Sequence, residues 1–371
     1  MKKIYNWYIS KIERFLEKNQ VLKMWIAEHF ALWQKRNLSK DIIWSKKQEK
    51  DFNAFWVGNY KKVNENSIKF FQAFNNTFNP SYVPDYLYAT KIEPTLNSYL
   101  YSKIYSDKAL LDILYKERSN ALTPTTLLLN SGGIMYDSER HIITEEQAKN
   151  ILLKIRTAII KPTVGGNSGK GVLLGKFDKN GFDANLNFDI FSLLSPENKN
   201  FIVQEKIIQS KELDELYPNS INTFRVITFI AEGAVQLAPI SLRLGTGGNF
   251  VDNIHAGGLA VGVNEVEGVL MKYAYQLGYS NNKTRFTEHP DTKVIFENFK
   301  VTGLDEIIIA AKRLHELTPN TRIISWDFAI NQAYKPVLIE ANYIGQAVWL
   351  SQITTGQSIF RGFTASVLKQ I

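Results

Sequence analysis

The 371-residue chain contains no cysteine. That excludes a disulfide framework, a thiolate nucleophile and any metal site built on sulfur. It also lacks any run approaching the roughly 18 apolar residues needed to cross a bilayer. Its basic opening, Met1-Lys2-Lys3-Ile4, is followed by Lys11, Glu13 and Arg14 where an export signal needs its apolar core. No export signal is therefore expected, and a cytoplasmic location fits best. No internal repeat, low-complexity tract or recognised nucleic-acid module is visible, which argues against nucleic acid as a partner. A hydrophobic content of 44% with 22% charged residues is that of an ordinary folded protein. The length suits two domains, or one large domain with an added segment.

What is present is unevenly placed. Residues 1–50 hold twelve Lys/Arg against five Asp/Glu, a surplus of seven out of the whole chain's eight. Five of the seven tryptophans, Trp7, Trp25, Trp33, Trp44 and Trp56, fall in the first 56 residues. Such a segment can lie on an anionic membrane surface, or pack its rings on the main domain with its lysines in water. Three- and four-residue spacing (Ile4, Trp7, Tyr8, Ile12, Phe15, Leu16) predicts a helix over 4–36. A second is expected over 45–75, with Phe52, Phe55, Trp56 and Tyr60 on one face. Pro80 and Pro84 end that pattern, so the boundaries read as a helical segment 1–84, then units 85–200 and 201–371.

The second unit opens with Ser106 or Asp107 as the N-cap of a helix that begins at Lys108. A strand over 126–129 and a helix with the capping box Thr144-Glu145-Glu146-Gln147 follow. Then a strand ends on Lys161, a glycine-rich loop runs Val164-Gly165-Gly166-Asn167-Ser168-Gly169-Lys170-Gly171, and a second strand begins at once. Glycines let backbone N–H groups approach an anion, and the lysines add charge; a plain hairpin turn fits the same letters. A dinucleotide-binding or Walker loop needs a helix after the glycines. The Walker spacing also fails at Val164 and Gly171.

The third unit reads as a strand over 201–207, a long hairpin 222–231/235–244 carrying Arg225 and Arg243, and a glycine-rich span holding Asp252, His255 and Gly257-Gly258. Strands 259–263 and 268–273, a helix 304–317 and two final strands, 323–330 and 336–342, complete it. Glu340 and Asn342 are two apart and point one way, and Asp327 on the facing strand can join them. Two carboxylates and an amide oxygen suit Mg²⁺; a hydrogen-bonded polar cluster at a sheet edge is the alternative.

In this order the parts resemble the ATP-grasp superfamily. Ser220-Ile221-Asn222-Thr223-Phe224-Arg225, His255-Ala256-Gly257-Gly258 and Ser325-Trp326-Asp327 look like its sugar-transfer-associated branch. The resemblance implies an α+β ATP-grasp fold of two subdomains with nucleotide between them, here with an N-terminal helical extension. It implies that Lys108 and Lys161 hold ATP, that the flap Gly165–Gly171 (Gly165, Gly166, Ser168, Gly169, Lys170) closes over the phosphates, and that Glu205, with the Lys206 and Ile207 backbone, reads adenine. Glu212 would bind ribose, and Asp327, Glu340 and Asn342 would hold Mg²⁺. Arg225 and Arg243 would face the transferring phosphoryl group or a substrate carboxylate, and His255 would contact the acceptor. One departure stands out: many ATP-grasp ligases carry arginine two residues before the metal-binding Asp, and here that residue is Ser325. The expected function is an ATP- and Mg²⁺-dependent carboxylate–amine ligase acting through an acyl phosphate, in bacterial polysaccharide or sugar-conjugate modification. Its substrates would be a small-molecule or sugar-linked carboxylate and an amine acceptor. The basic N-terminus would supply a peripheral membrane or glycosyltransferase contact. The alternatives are a phosphotransferase acting on a hydroxyl, or a non-catalytic ATP-binding scaffold.

Overall fold

The computed structural model describes residues 38–165, 171–254, 257–277 and 283–371, with isolated positions between Lys11 and Ala27. Most of the helix expected over 4–36, with Trp7, Trp25 and Trp33, lies outside the described residues.

Two antiparallel sheets organise the rest. The smaller runs, in spatial order, Ile134–Tyr136, Thr126–Ser131, Phe201–Gln204, Thr157–Pro162 and Leu173–Lys176. Helix Glu145–Leu152 covers it and buries Ala148 and Leu152 against Leu128, Ile160 and Val203. That helix starts at the predicted capping box, with Thr144 accepting from the Gln147 N–H. The larger sheet runs Lys283–Phe286, Val269–Leu277, Leu259–Asn264, Ser241–Leu244, Thr223–Ala231, Ile323–Ile330 and Pro336–Asn342, with Ala234–Leu237 paired to the far end of Thr223–Ala231.

Alternation along the central strands sends side chains to two different cores. Phe224, Val226, Ile324, Trp326 and Phe328 pack under helix Leu304–Glu316. Ile227, Phe229 and Ile323 face the other way, onto the N-terminal helices and Val348, Ile353 and Phe360. Trp44 and Trp56 are buried in that second core, the Trp56 N–H donating to the Pro80 carbonyl at 2.9 Å. The proline-bearing turn is docked too: Gln352 accepts from the Val83 N–H (2.8 Å) and donates to its carbonyl (2.9 Å). The described helical residues thus form a wall of the main sheet. None of the described helices is long and apolar enough to cross a membrane.

Several expected elements differ in detail. The stretch 45–75 is two helices, Lys46–Asn59 and Glu65–Asn75, because the chain turns at Tyr60 and Asn64 caps the second helix. The strand expected over 201–207 stops at Gln204, where the Glu205 N–H crosses to the Thr125 carbonyl. The second hairpin arm breaks between Leu237 and Ser241 around Pro239, which has no N–H to give a ladder.

Beneath the central strands the Thr228 hydroxyl accepts from the Trp326 indole N–H (2.8 Å) and meets His315 Nδ1 at 2.7 Å. Burial holds this imidazole neutral, with its pKa pulled from 6.5 to about 4. The unfolded chain therefore takes up a proton near pH 6.5 that the folded chain refuses until about pH 4. The stability this residue contributes is complete above pH 6.5 and falls by about 3 kcal/mol by pH 4. Urea denaturation from pH 7 to 4.5 should show His315→Gln with a shallower acid loss than the parent; identical slopes would refute it.

Candidate active site

The two sheets meet where strand ends bring charges together. Lys108 begins a short 3-10 turn, Lys108–Leu110, capped by Asp107 as expected. Its backbone N–H donates to the Thr163 carbonyl at 2.9 Å, and its ammonium lies 2.9 Å from Glu340 Oε1. Lys161, opposite Ile202 in the smaller sheet, is buried. Burial pulls its pKa down to about 8; Glu340 opposes the shift and Lys108 reinforces it.

On the larger sheet Arg225 and Asp327 are cross-strand partners, as are Asp327 and Glu340. Arg225 Nε lies 2.7 Å from Asp327 Oδ1, and Arg243 Nη2 lies 3.3 Å from Asp327 Oδ2. Arg243 also meets Asp252 at 3.3 Å and donates to the Thr223 hydroxyl at 2.7 Å. Thr223 in turn donates to Asp252. Burial lowers the Arg243 pKa, but the carboxylates of Asp252, Asp327 and Glu340 outweigh burial and raise it above the usual guanidinium value. Four cations (Lys108, Lys161, Arg225, Arg243) thus surround three carboxylates. Near-neutrality makes their burial tolerable, because unpaired buried charge is strongly destabilising.

Asp252 and Thr223 escaped the sequence reading. Thr223 is two residues before Arg225 and so shares its face, a legible signal; Asp252 sits in a loop with no periodicity to mark it. Gly258 lets that loop close: a Cβ there would lie 2.8 Å from the carbonyls of Asp252 and Leu244. Ser325, at the position where arginine was expected, is fully buried. Arg225 reaches Asp327 from the neighbouring strand, so positive charge stands beside that carboxylate without it.

The other predicted residues divide. Gly165 and Gly171 flank the flap, both at φ +78°, a backbone that only glycine adopts freely. Gly166, Ser168, Gly169, Lys170 and His255 lie outside the described residues. Glu205, Lys206 and Ile207 follow the end of the strand that pairs with the one carrying Lys161. Glu212 is engaged elsewhere: its two oxygens accept from the Thr302 N–H (2.9 Å) and hydroxyl (2.7 Å).

Asp327 and Glu340 leave one sheet face, and Asn342 Nδ2 lies 3.5 Å from Asp327 Oδ2. These hard donors fit a divalent cation such as Mg²⁺. Among the described residues no group of three or more His, Asp or Glu side chains could hold a metal; a cation here would take a third protein donor from the Asn342 amide.

A family model described as sugar-transfer-associated ATP-grasp matches residues 87–367. The chain belongs to that family. Its fold is ATP-grasp, α+β, with the N-terminal helices of residues 46–75 added ahead of the matched region. No curated protein matches it. Solved structures similar to this ATP-grasp protein include a D-Ala:D-Ser ligase from Enterococcus faecalis, at 15% identity over 74% of this chain and 64% of that one, TM-score 0.43. D-alanyl-alanine synthetase A from Vibrio cholerae matches at 12% identity over 71% and 64%, TM-score 0.41. L-amino acid ligase from Bacillus licheniformis matches at 11% over 71% and 48%, TM-score 0.38. The chain therefore spans about half the length of the last and under two thirds of the others. Likenesses this distant carry no weight beside the family match.

Proposed function

We propose that this ATP-grasp protein is an ATP-dependent ligase joining a carboxylate, small or sugar-linked, to an amine in the modification of a sugar conjugate. The observation that carries the reading is the convergence of Lys108, Lys161, Arg225 and Arg243 on Asp327 and Glu340 where the two sheets meet. Four clustered cations are suited to a polyphosphate, and the paired carboxylates hold them in place until it arrives.

In this reading Lys108 and Lys161 bind the phosphates, and the Glu205–Ile207 segment reads adenine. Asp327, Glu340 and Asn342 would hold Mg²⁺, which supplies neutralisation of phosphate charge. A substrate carboxylate oxygen bonds to the γ-phosphorus as the bond to the ADP oxygen breaks. The amine nitrogen then bonds to the acyl carbon and phosphate leaves. Arg225 and Arg243 neutralise charge on the transferring group, and the flap excludes water that would hydrolyse the acyl phosphate.

A screen of amino acids and sugar acids for ATP-dependent phosphate release, with and without amines, tests the proposal. Phosphate release that needs both a carboxylate and an amine is expected. A stable phosphorylated product without free phosphate would replace the ligase with a phosphotransferase. Absence of Mg²⁺-dependent ATP binding in calorimetry would leave only a scaffold.

The Lys161 ammonium supplies a further check. Because it deprotonates near pH 8, affinity for a non-hydrolysable ATP analogue with Mg²⁺ should be full at pH 7 and fall between about pH 8 and 9.5. Lys161→Arg keeps its charge and should remove that inflection. A parent profile flat over this range would separate Lys161 from the nucleotide.

A further inference from the structure

The turn that presents Lys108 is three residues long, with its N–H groups held by Thr163 and by Asp107. It is gripped from outside by Arg140, in the loop after strand Ile134–Tyr136. Arg140 Nη2 donates to the Ala109 carbonyl at 2.9 Å and forms an ion pair with the Asp112 carboxylate. The second Asp112 oxygen accepts from the Thr126 hydroxyl at 3.5 Å, tying the turn to the smaller sheet. The Arg140 backbone sits at φ +69°, uncommon for a side-chain-bearing residue, and its N–H donates to the Asp137 carbonyl at 3.1 Å. On its other side the turn meets the flap strand through Thr163 and the larger sheet through Glu340. The direction of the Lys108 ammonium thus depends on the grip on Ala109 and Asp112 as well as on Thr163 and Glu340.

We infer that Arg140 is a positioning residue for nucleotide binding: its guanidinium, bridging the Ala109 carbonyl and Asp112 through Nη2, aims Lys108 at the phosphates. The inference rests on the ATP-binding reading above.

The test is calorimetric affinity for a non-hydrolysable ATP analogue with Mg²⁺, in the full chain, for the parent, Arg140→Ala, Lys108→Ala and the double variant. Arg140→Ala should weaken binding about tenfold, and the double variant should bind no worse than Lys108→Ala, because the two losses share one route. Asp112→Asn removes the other arm of the grip and should weaken binding as Arg140→Ala does; it also serves if Arg140→Ala does not fold. Arg140→Lys keeps a single charged nitrogen donor, which is what the grip uses, on a differently shaped side chain, and should recover part of the affinity. Losses that multiply in the double variant would overturn the positioning role and leave a plain structural ion pair, as would unchanged affinity in Arg140→Ala or Asp112→Asn. A parent that binds no nucleotide would overturn the ATP-binding reading itself, and this inference with it.

Discussion

Replacing Glu340 by glutamine is expected to lower ATP turnover by about 10³-fold while leaving the protein folded. Glutamine preserves the shape and one acceptor oxygen but removes the charge. Glu340 is the carboxylate that Lys108 contacts at 2.9 Å and that holds up the pKa of buried Lys161. It is also one of only two carboxylates in the candidate metal set. Its loss therefore affects both lysines and the cation together. Its side chain is 31% exposed and glutamine keeps an acceptor oxygen for the Lys108 ammonium, so the structural cost stays small. ATP consumption and a thermal melt, read side by side, check this. Undiminished turnover in Glu340→Gln removes the metal assignment.

Asp327→Ala should behave differently, costing about 3–5 kcal/mol of stability as well as activity. Asp327 is 3% exposed, lies 2.7 Å from the Arg225 Nε and 3.3 Å from Arg243 Nη2, and is the point where both guanidiniums meet. Without it the Arg225 guanidinium keeps, among the described residues, a 3.3 Å bond from Nη1 to the Gln346 carbonyl, and two cations repel each other away from water. Unlike Glu340, this carboxylate has almost no exposed surface through which solvent can compensate. Trp326, its neighbour on the strand, is fully buried and gives a fluorescence signal for urea denaturation. An unfolding midpoint equal to that of the parent would mean that Asp327 does not hold the two arginines.

Much of the site was legible because it lies on strands. A side-chain period of two puts Glu340 with Asn342 and Thr223 with Arg225, and the apolar letters between them reveal that period. The strand–loop–strand order at 156–177 excludes a helix-bound phosphate loop, and the small sheet pairs those two strands. Arg140 and Asp252 were not legible. Each sits in a loop, where spacing carries no directional information, and each matters only through partners outside that loop, Ala109 and Asp112 for one and Thr223 and Arg243 for the other. The break between the helices of 46–59 and 65–75 was missed for a similar reason: the apolar letters continue through it.

By itself, then, the amino-acid order determined much of the succession of strands and helices and the face each strand residue takes, because these follow from local periodicity and turn chemistry, while its ordered motifs carried the family resemblance. Tertiary structure alone decided which charges meet. Asp327 answers two arginines from two other strands, Glu340 answers a lysine more than two hundred residues away, and the N-terminal helices wall the sheet face that carries both. The physical reason is that a buried charge needs its counter-ion within a few ångströms, and that distance is set by sheet register and packing rather than by separation along the chain.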